Sequence, residues 1–294
     1  MTDPARFGIG LAFFGTLVLT FDAMLMRLSH MSGLQMMAWR GVCMGSVLIL
    51  FWLLQSKAPR QELRHLATRA GWTIILCQFF NSLLFCFAIA IAPVAVVLFG
   101  LAAVPVFAAI FAWIILGEHT PVSTWVTIAL VMAGIGLAVT GKVDGTVAFD
   151  VAALAGAVLG LGVAVVLALN FVTLRARPEL PIALLIGCGA LIAGATAIMI
   201  IGPQGMTGGS IPPMVATGAV VLPLSFFSLS LASRYTSASN VSLLMLLETV
   251  LGPYWVWLVI GEAPTPRMIL GGVVVVVSLT GYLILTGRRA GQRA

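Results

Sequence analysis

Charge is what this sequence has least of. Asp, Glu, Lys and Arg together make up 8% of its 294 residues, against roughly a quarter in an ordinary soluble protein. With 61% apolar residues, the chain lacks the polar surface that water requires, which makes a lipid bilayer the expected solvent. Histidine is also scarce. His30, His65 and His119 all fall between apolar runs, so no buried imidazole base or metal ligand set is expected. Asp22 is the one intramembrane aspartate, too few for a two-aspartate membrane protease. An enzyme, a cofactor and a metal are therefore not expected. Cys43, Cys77, Cys86 and Cys188 lie within apolar runs without C-x-x-C spacing and read as small packing residues.

What is present is a succession of apolar stretches of helical length. Only helices or closed barrels satisfy backbone hydrogen bonds in hydrocarbon, and these stretches lack the alternation of barrel strands. The expected fold is an all-α integral membrane protein with ten transmembrane helices, over 8–28, 35–54, 71–90, 93–115, 122–140, 148–172, 181–201, 212–232, 239–260 and 267–286. No stretch remains for a soluble domain of useful size.

The net charge of +6 follows topology rather than a nucleic-acid footprint. One set of alternate loops and the two ends carries Arg6, Lys57, Arg60, Arg64, Arg69, Arg175, Arg177, Arg234, Arg288, Arg289 and Arg293. The opposite set carries Arg27, Lys142 and Arg267. The positive-inside rule then puts both termini in the cytoplasm, in a bacterial-type inner membrane. The expected partners are the bilayer and a small-molecule substrate, with no nucleic acid and a monomer as the expected state.

The chain also repeats itself. "WIILGEHTP" (113–121) and "WLVIGEAPTP" (257–266) end two apolar runs, and an offset of 144 aligns Trp113 with Trp257, Gly117 with Gly261 and Glu118 with Glu262. Two five-helix halves, 1–145 and 146–294, follow from that offset. Five is odd, so the second half enters the membrane from the other side. Inverted repeats of this kind give secondary transporters two similar arrangements around a site near the midplane.

The segments "IAPVAVVLFGLAAVPVFAAIFAWIILGEHTP" and "YTSASNVSLLMLLETVLGPYWVWLVIGEAPTP", with "MMAWRGVCMGSVLILF" and its Arg40, resemble the paired repeats of the drug/metabolite transporter superfamily, EamA type. The resemblance runs through nearly the whole chain and is most like the aromatic and neutral amino-acid exporters. It implies ten helices, alternating access and export of small metabolites. One departure is Thr249, where many members carry Pro, although Pro105 stands in the first half. Gly252 and Pro253 supply an alternative break in the second, so Pro105, Gly252 and Pro253 are the candidate hinges.

Three ionic residues lie at membrane depth: Asp22, Arg40 and Glu248. Each costs a few kcal/mol or more in lipid and so should face the bundle interior. Asp22 and Arg40 sit at matched depths in an antiparallel hairpin and are expected to pair. Their role reads either as a structural ion pair or as a gate, with Arg40 holding a substrate carboxylate through its planar fork. Glu248 shares a helical face with Val241, Leu244, Gly252 and Trp255, a mix that suits a cavity for an organic solute. It also offers a protonatable group through which transport could couple to protons. Gln78, Asn81 and Ser82 form a polar stripe, and the 144 offset aligns Asn81 with Ser225. The candidate substrate residues are thus Arg40, Gln78, Asn81, Ser82, Ser225, Glu248 and Trp255. The expected function is export of neutral or aromatic amino acids. The competing reading is multidrug or lipophilic-cation export with Glu248 as counter-charge. Glu118 and Glu262 are expected to be helix ends outside the site.

Overall fold

A computed structural model of the chain describes residues 4–117, 122–143, 146–236 and 238–291. Glu118 lies outside the described residues. The helical segments are α1 (Pro4–Leu19), α2 (Asp22–Leu28), α3 (Gly33–Gln55), α4 (Pro59–Glu62), α5 (Arg69–Ile91), α6 (Val94–Leu101), α7 (Val104–Leu116) and α8 (Val122–Val139). After a hairpin they continue as α9 (Val151–Ala176), α10 (Ile182–Ile201), α11 (Ile211–Ala216), a π-helical turn (Thr217–Val221), α12 (Leu222–Tyr235), α13 (Ala238–Ile260) and α14 (Pro266–Gly291). Among the described residues, seven helical stretches are long and apolar enough to cross a membrane. They are Phe7–Leu28, Gly33–Gln55, Arg69–Ile91, Val94–Leu116, Val151–Ala176, Ile182–Ile201 and Ile211–Tyr235. Three more apolar stretches, Ala129–Ala138, Leu244–Ile260 and Pro266–Ser278, are shorter.

Among the described residues the fold is all-helical as expected, apart from one short hairpin between α8 and α9. β1 (Thr140–Val143) and β2 (Thr146–Phe149) pair antiparallel, with Thr140 opposite Phe149 and Val143 opposite Thr146. They fall mostly in the expected connection and overlap the flanking spans only at Thr140 and at Ala148–Phe149. The following helix starts later than expected because Asp150 caps it, its Oδ1 accepting from the Ala152 and Ala153 N–H groups at 2.9 and 3.2 Å. A short polar side chain that satisfies free N–H groups fixes a helix start more firmly than hydropathy does.

The two Gly-Glu endings are built alike. Gly117 and Gly261 both adopt left-handed φ, 71° and 83°. Each returns its N–H to the Trp four residues earlier, at 3.0 Å. A residue without Cβ takes that conformation without strain, so glycine ends a helix there.

Helix breaks interrupt three of the rods. α1 gives way to α2 through Thr20 and Phe21. α6 gives way to α7 at Ala102–Ala103, just before Pro105, which takes the second position of α7 where its missing N–H costs nothing. The π turn at Thr217–Val221 precedes Pro223. In contrast α13 runs through Gly252 and Pro253 without an interruption.

Close packing joins α3 to α10 and α8 to α14. A Cβ on Gly41 would come within 2.5 Å of the Gly194 nitrogen, and one on Gly271 within 2.4 Å of the Gly134 oxygen. Small residues at such crossings let backbones touch, which is how helices associate where no hydrophobic force drives them together. α9 packs on α5, α6 and α7, while α1 packs on α12 and α13.

Candidate functional site

The three helix breaks converge on one buried cluster. α2 begins with Asp22, immediately after its break, and Leu101 ends α6 at the next. Both line a central cavity with Arg40, Asn81, Phe85, Phe226 and Glu248. Leu19, Val163 and Leu167 complete its apolar walls. The third break packs behind Arg40, since a Cβ on Gly218 would approach the Arg40 Cα to 3.2 Å. The space inside is about 20 Å³, enough for a single water molecule and too small for an organic solute. The polar groups therefore nearly fill the space between them.

Within it Arg40 Nη2 donates to Asp22 Oδ2 at 2.8 Å. Their side chains are 4% and 1% exposed. The rest of the guanidinium faces soft groups: Nη1 lies 2.9 Å from Met26 Sδ and 3.9 Å from Cys86 Sγ, and the Phe85 ring centre is 5.1 Å from the guanidinium carbon. Two carboxylate oxygens and one guanidinium nitrogen, Arg40 Nε, are left over. Asp22 Oδ1 and Glu248 Oε2 are buried with no hydrogen-bond partner, and both residues line the same space. Orphaned buried acceptors are costly and rare, and in a native site they point to a missing ligand, proton or water.

The remaining candidates surround this core without lining it. Gln78 and Ser82 are buried, and the Gln78 amide donates to Ser82 Oγ at 3.4 Å and meets Met44 Sδ at 3.6 Å. Of the stripe on α5, Asn81 is the member on the cavity wall. Ser225 is buried with its hydroxyl unpartnered. Trp255 donates its Nε1–H to Thr20 Oγ1 at 3.2 Å and stacks on Phe21 at 5.1 Å, so it braces the first break. Sequence reasoning missed Phe85 and Phe226, whose apolar character hides among their neighbours. It also passed over Asn170, buried in α9 with an unpartnered Oδ1, although an amide in so apolar a run was a readable signal.

A second polar cluster closes the rim one turn and more away. Glu262 Oε2 lies 3.2 Å from Arg27 Nε, and its Oε1 accepts from the Val94 N–H at 3.2 Å. Arg27 Nη2 also donates to the Ala92 carbonyl at 2.7 Å. Glu262 is thus more than a solvated helix end: it ties α2 to the start of α6, where a carboxylate complements the free N–H groups. Beneath this pair a recess of about 330 Å³ has Met26 and His30 in its walls. Met26 also touches Arg40, so one side chain joins recess and ion pair. On the other face a recess of about 270 Å³ opens between Trp52, Leu180 and Arg234. Trp52 donates its indole N–H to Glu62 there. A larger groove of about 380 Å³ between α6, α13 and α14 has walls of Phe99, Val250, Tyr254 and other apolar side chains.

The buried ionic groups at the helix breaks thus lie between recesses near opposite ends of α3. Residues 6–140 match the model of the EamA-like transporter family. That match points to a membrane transporter of small molecules, and with the seven long apolar helices to a multi-pass membrane protein. A solved structure described as "Crystal structure of protein" superposes with a TM-score of 0.65 over 96% of this chain and 98% of that one, at 17% identity. At that identity the likeness is one of fold. No curated protein matches.

Proposed function

We propose that this protein is a secondary transporter that exports small metabolites, neutral or aromatic amino acids first among them, by alternating access. The observation that carries the reading is the small buried cavity of Asp22, Arg40, Asn81 and Glu248, set where α1 gives way to α2 and where α6 ends. A small polar site between two recesses is what a carrier needs between its two open forms.

The packing supports an inverted repeat of residues 1–145 and 146–294 across ten spans. If α1–α2 corresponds to α9, α3 to α10, α5 to α12, α6–α7 to α13 and α8 to α14, exchanging the halves turns α9 on α5 into α1 on α12. It turns α9 on α6–α7 into α1 on α13, and it leaves α3 on α10 and α8 on α14 unchanged. The unequal distribution of Lys and Arg supports cytoplasmic termini in an inner membrane. The Arg27–Glu262 pair is then an outer gate, and the Thr20–Phe21 and Ala102–Pro105 segments are bending points.

Export of lipophilic organic cations is the second reading. Two carboxylates against one guanidinium favour it. Counterflow in proteoliposomes, with a panel of amino acids against dyes and quaternary amines, tests both. Saturable amino-acid counterflow supports the first reading. Counterflow confined to the amines leaves the second, and single-channel currents sink the carrier altogether.

A further inference from the structure

We infer that the central site recognises its substrate by a cationic nitrogen, an ammonium group held between Asp22 Oδ1 and Glu248 Oε2, with Arg40 Nη2 positioning Asp22. The inference rests on the transporter reading and names the chemistry of its site.

The first ground is what Arg40 is already doing. Its Nη2 is committed to Asp22 at 2.8 Å, its Nη1 is packed on Met26 Sδ and Cys86 Sγ, and Phe85 lies 5.1 Å from its centre. A carboxylate could take this Nη2 only by displacing Asp22, although the Nε is buried and unpartnered. It would leave that residue ionised and unpaired at 1% exposure, a cost of several kcal/mol. The second ground is which atoms stand open. Among the described residues that line the cavity, the orphaned atoms are two acceptors, Asp22 Oδ1 and Glu248 Oε2, and one donor, Arg40 Nε. An ammonium carries three donors and no acceptor, so it satisfies both oxygens at once. The third ground is charge. With both carboxyl groups ionised, two carboxylates and one guanidinium leave room for one positive charge, and the Phe226 ring on the same wall adds a face that attracts cations. Leu19, Leu101, Val163 and Leu167 offer apolar surface to the rest of the solute.

The test uses purified full-length protein in detergent micelles and reads binding directly, so that it does not depend on flux. Three ligands share one side chain: phenylalanine, phenethylamine (ammonium alone) and 3-phenylpropionate (carboxylate alone). Calorimetry is expected to show phenethylamine binding within about tenfold of phenylalanine and 3-phenylpropionate at least a hundredfold more weakly, since a site built for an N–H donor rejects the analogue lacking it. Glu248→Gln, which keeps the shape, should weaken phenethylamine about tenfold or more while leaving the melting temperature of the free protein little changed. Arg40→Lys, which can still hold Asp22, should weaken phenylalanine and phenethylamine equally. Tighter binding of 3-phenylpropionate than of phenethylamine overturns the inference, as does binding of neither. A selective loss of phenylalanine in Arg40→Lys restores Arg40 as the carboxylate anchor. Failure of flux with phenethylamine binding intact counts against the transporter reading alone.

Discussion

The seven-residue helix α2 carries two ion pairs that could hardly differ more. Its first residue, Asp22, meets Arg40 at 2.8 Å with side chains 1% and 4% exposed, while Arg27, near its end, meets Glu262 at 3.2 Å with 25% and 31% exposed. The inner pair has lost its water and keeps an orphaned oxygen beside the cavity. Desolvation on that scale can exceed the Coulombic gain, so such a pair is weak support for stability and strong support for a positioned charge. The rim pair keeps part of its water, is screened by salt, and is worth at most about 1 kcal/mol. That makes it easy to break and re-form. One short helix therefore links a costly fixed charge at the centre to a cheap reversible tie at the edge, which is what a site and its gate require.

The largest effect should come from breaking the inner pair on one side. Arg40→Ala leaves Asp22 uncompensated and should cost about 3–5 kcal/mol, seen as a large drop in melting temperature in micelles. Asp22→Leu with Arg40→Leu should recover most of that stability and none of the transport. If the double variant still transports, the pair is purely structural. Next comes Glu248→Gln, expected to lower amino-acid counterflow about tenfold or more, the scale of one lost charged hydrogen bond, with little change in melting. Unaltered counterflow in that variant removes Glu248 from the site.

The rim should respond more gently. Glu262→Gln should change melting by less than about 1 kcal/mol yet raise the rate at which a thiol reagent modifies a cysteine placed at Met26. An unchanged labelling rate would mean that the Arg27–Glu262 tie does not gate the recess. High salt should mimic the substitution, because partly exposed pairs are screened. The smallest effect is expected at the first helix break: Trp255→Phe keeps the ring against Phe21 but removes the bond to Thr20, costing about 0.5–1.5 kcal/mol. Melting curves of the two proteins measure it.

Much of this was legible beforehand. Matched depths in one hairpin predict contact between Asp22 and Arg40, and the two side chains meet. The parallel Gly-Glu endings predict parallel helix ends, and Gly117 and Gly261 share the same backbone conformation. The polar stripe on α5 was legible only as a stripe. Its three members lie within one turn, but Asn81 reaches the cavity while Gln78 bonds to Ser82. The break at Thr20–Phe21 carried no signal at all, since neither Pro nor Gly marks it. Pro253, which would be read as a break, sits inside a continuous helix.

By itself, the sequence determined the solvent, the helical character, the 144-residue offset and the depth of each buried charge, because hydrophobicity and helical rise act along the chain and are read locally. Tertiary structure alone decided which polar atoms would be satisfied and which left open. It put a sulfur and a ring around Arg40, held Glu262 against the N–H of Val94, and left one oxygen of Asp22 and one of Glu248 unpaired at the same small space. A hydrogen bond needs its partner within about 3 Å, and that partner is brought by helices distant in the chain, whose azimuths no local pattern records.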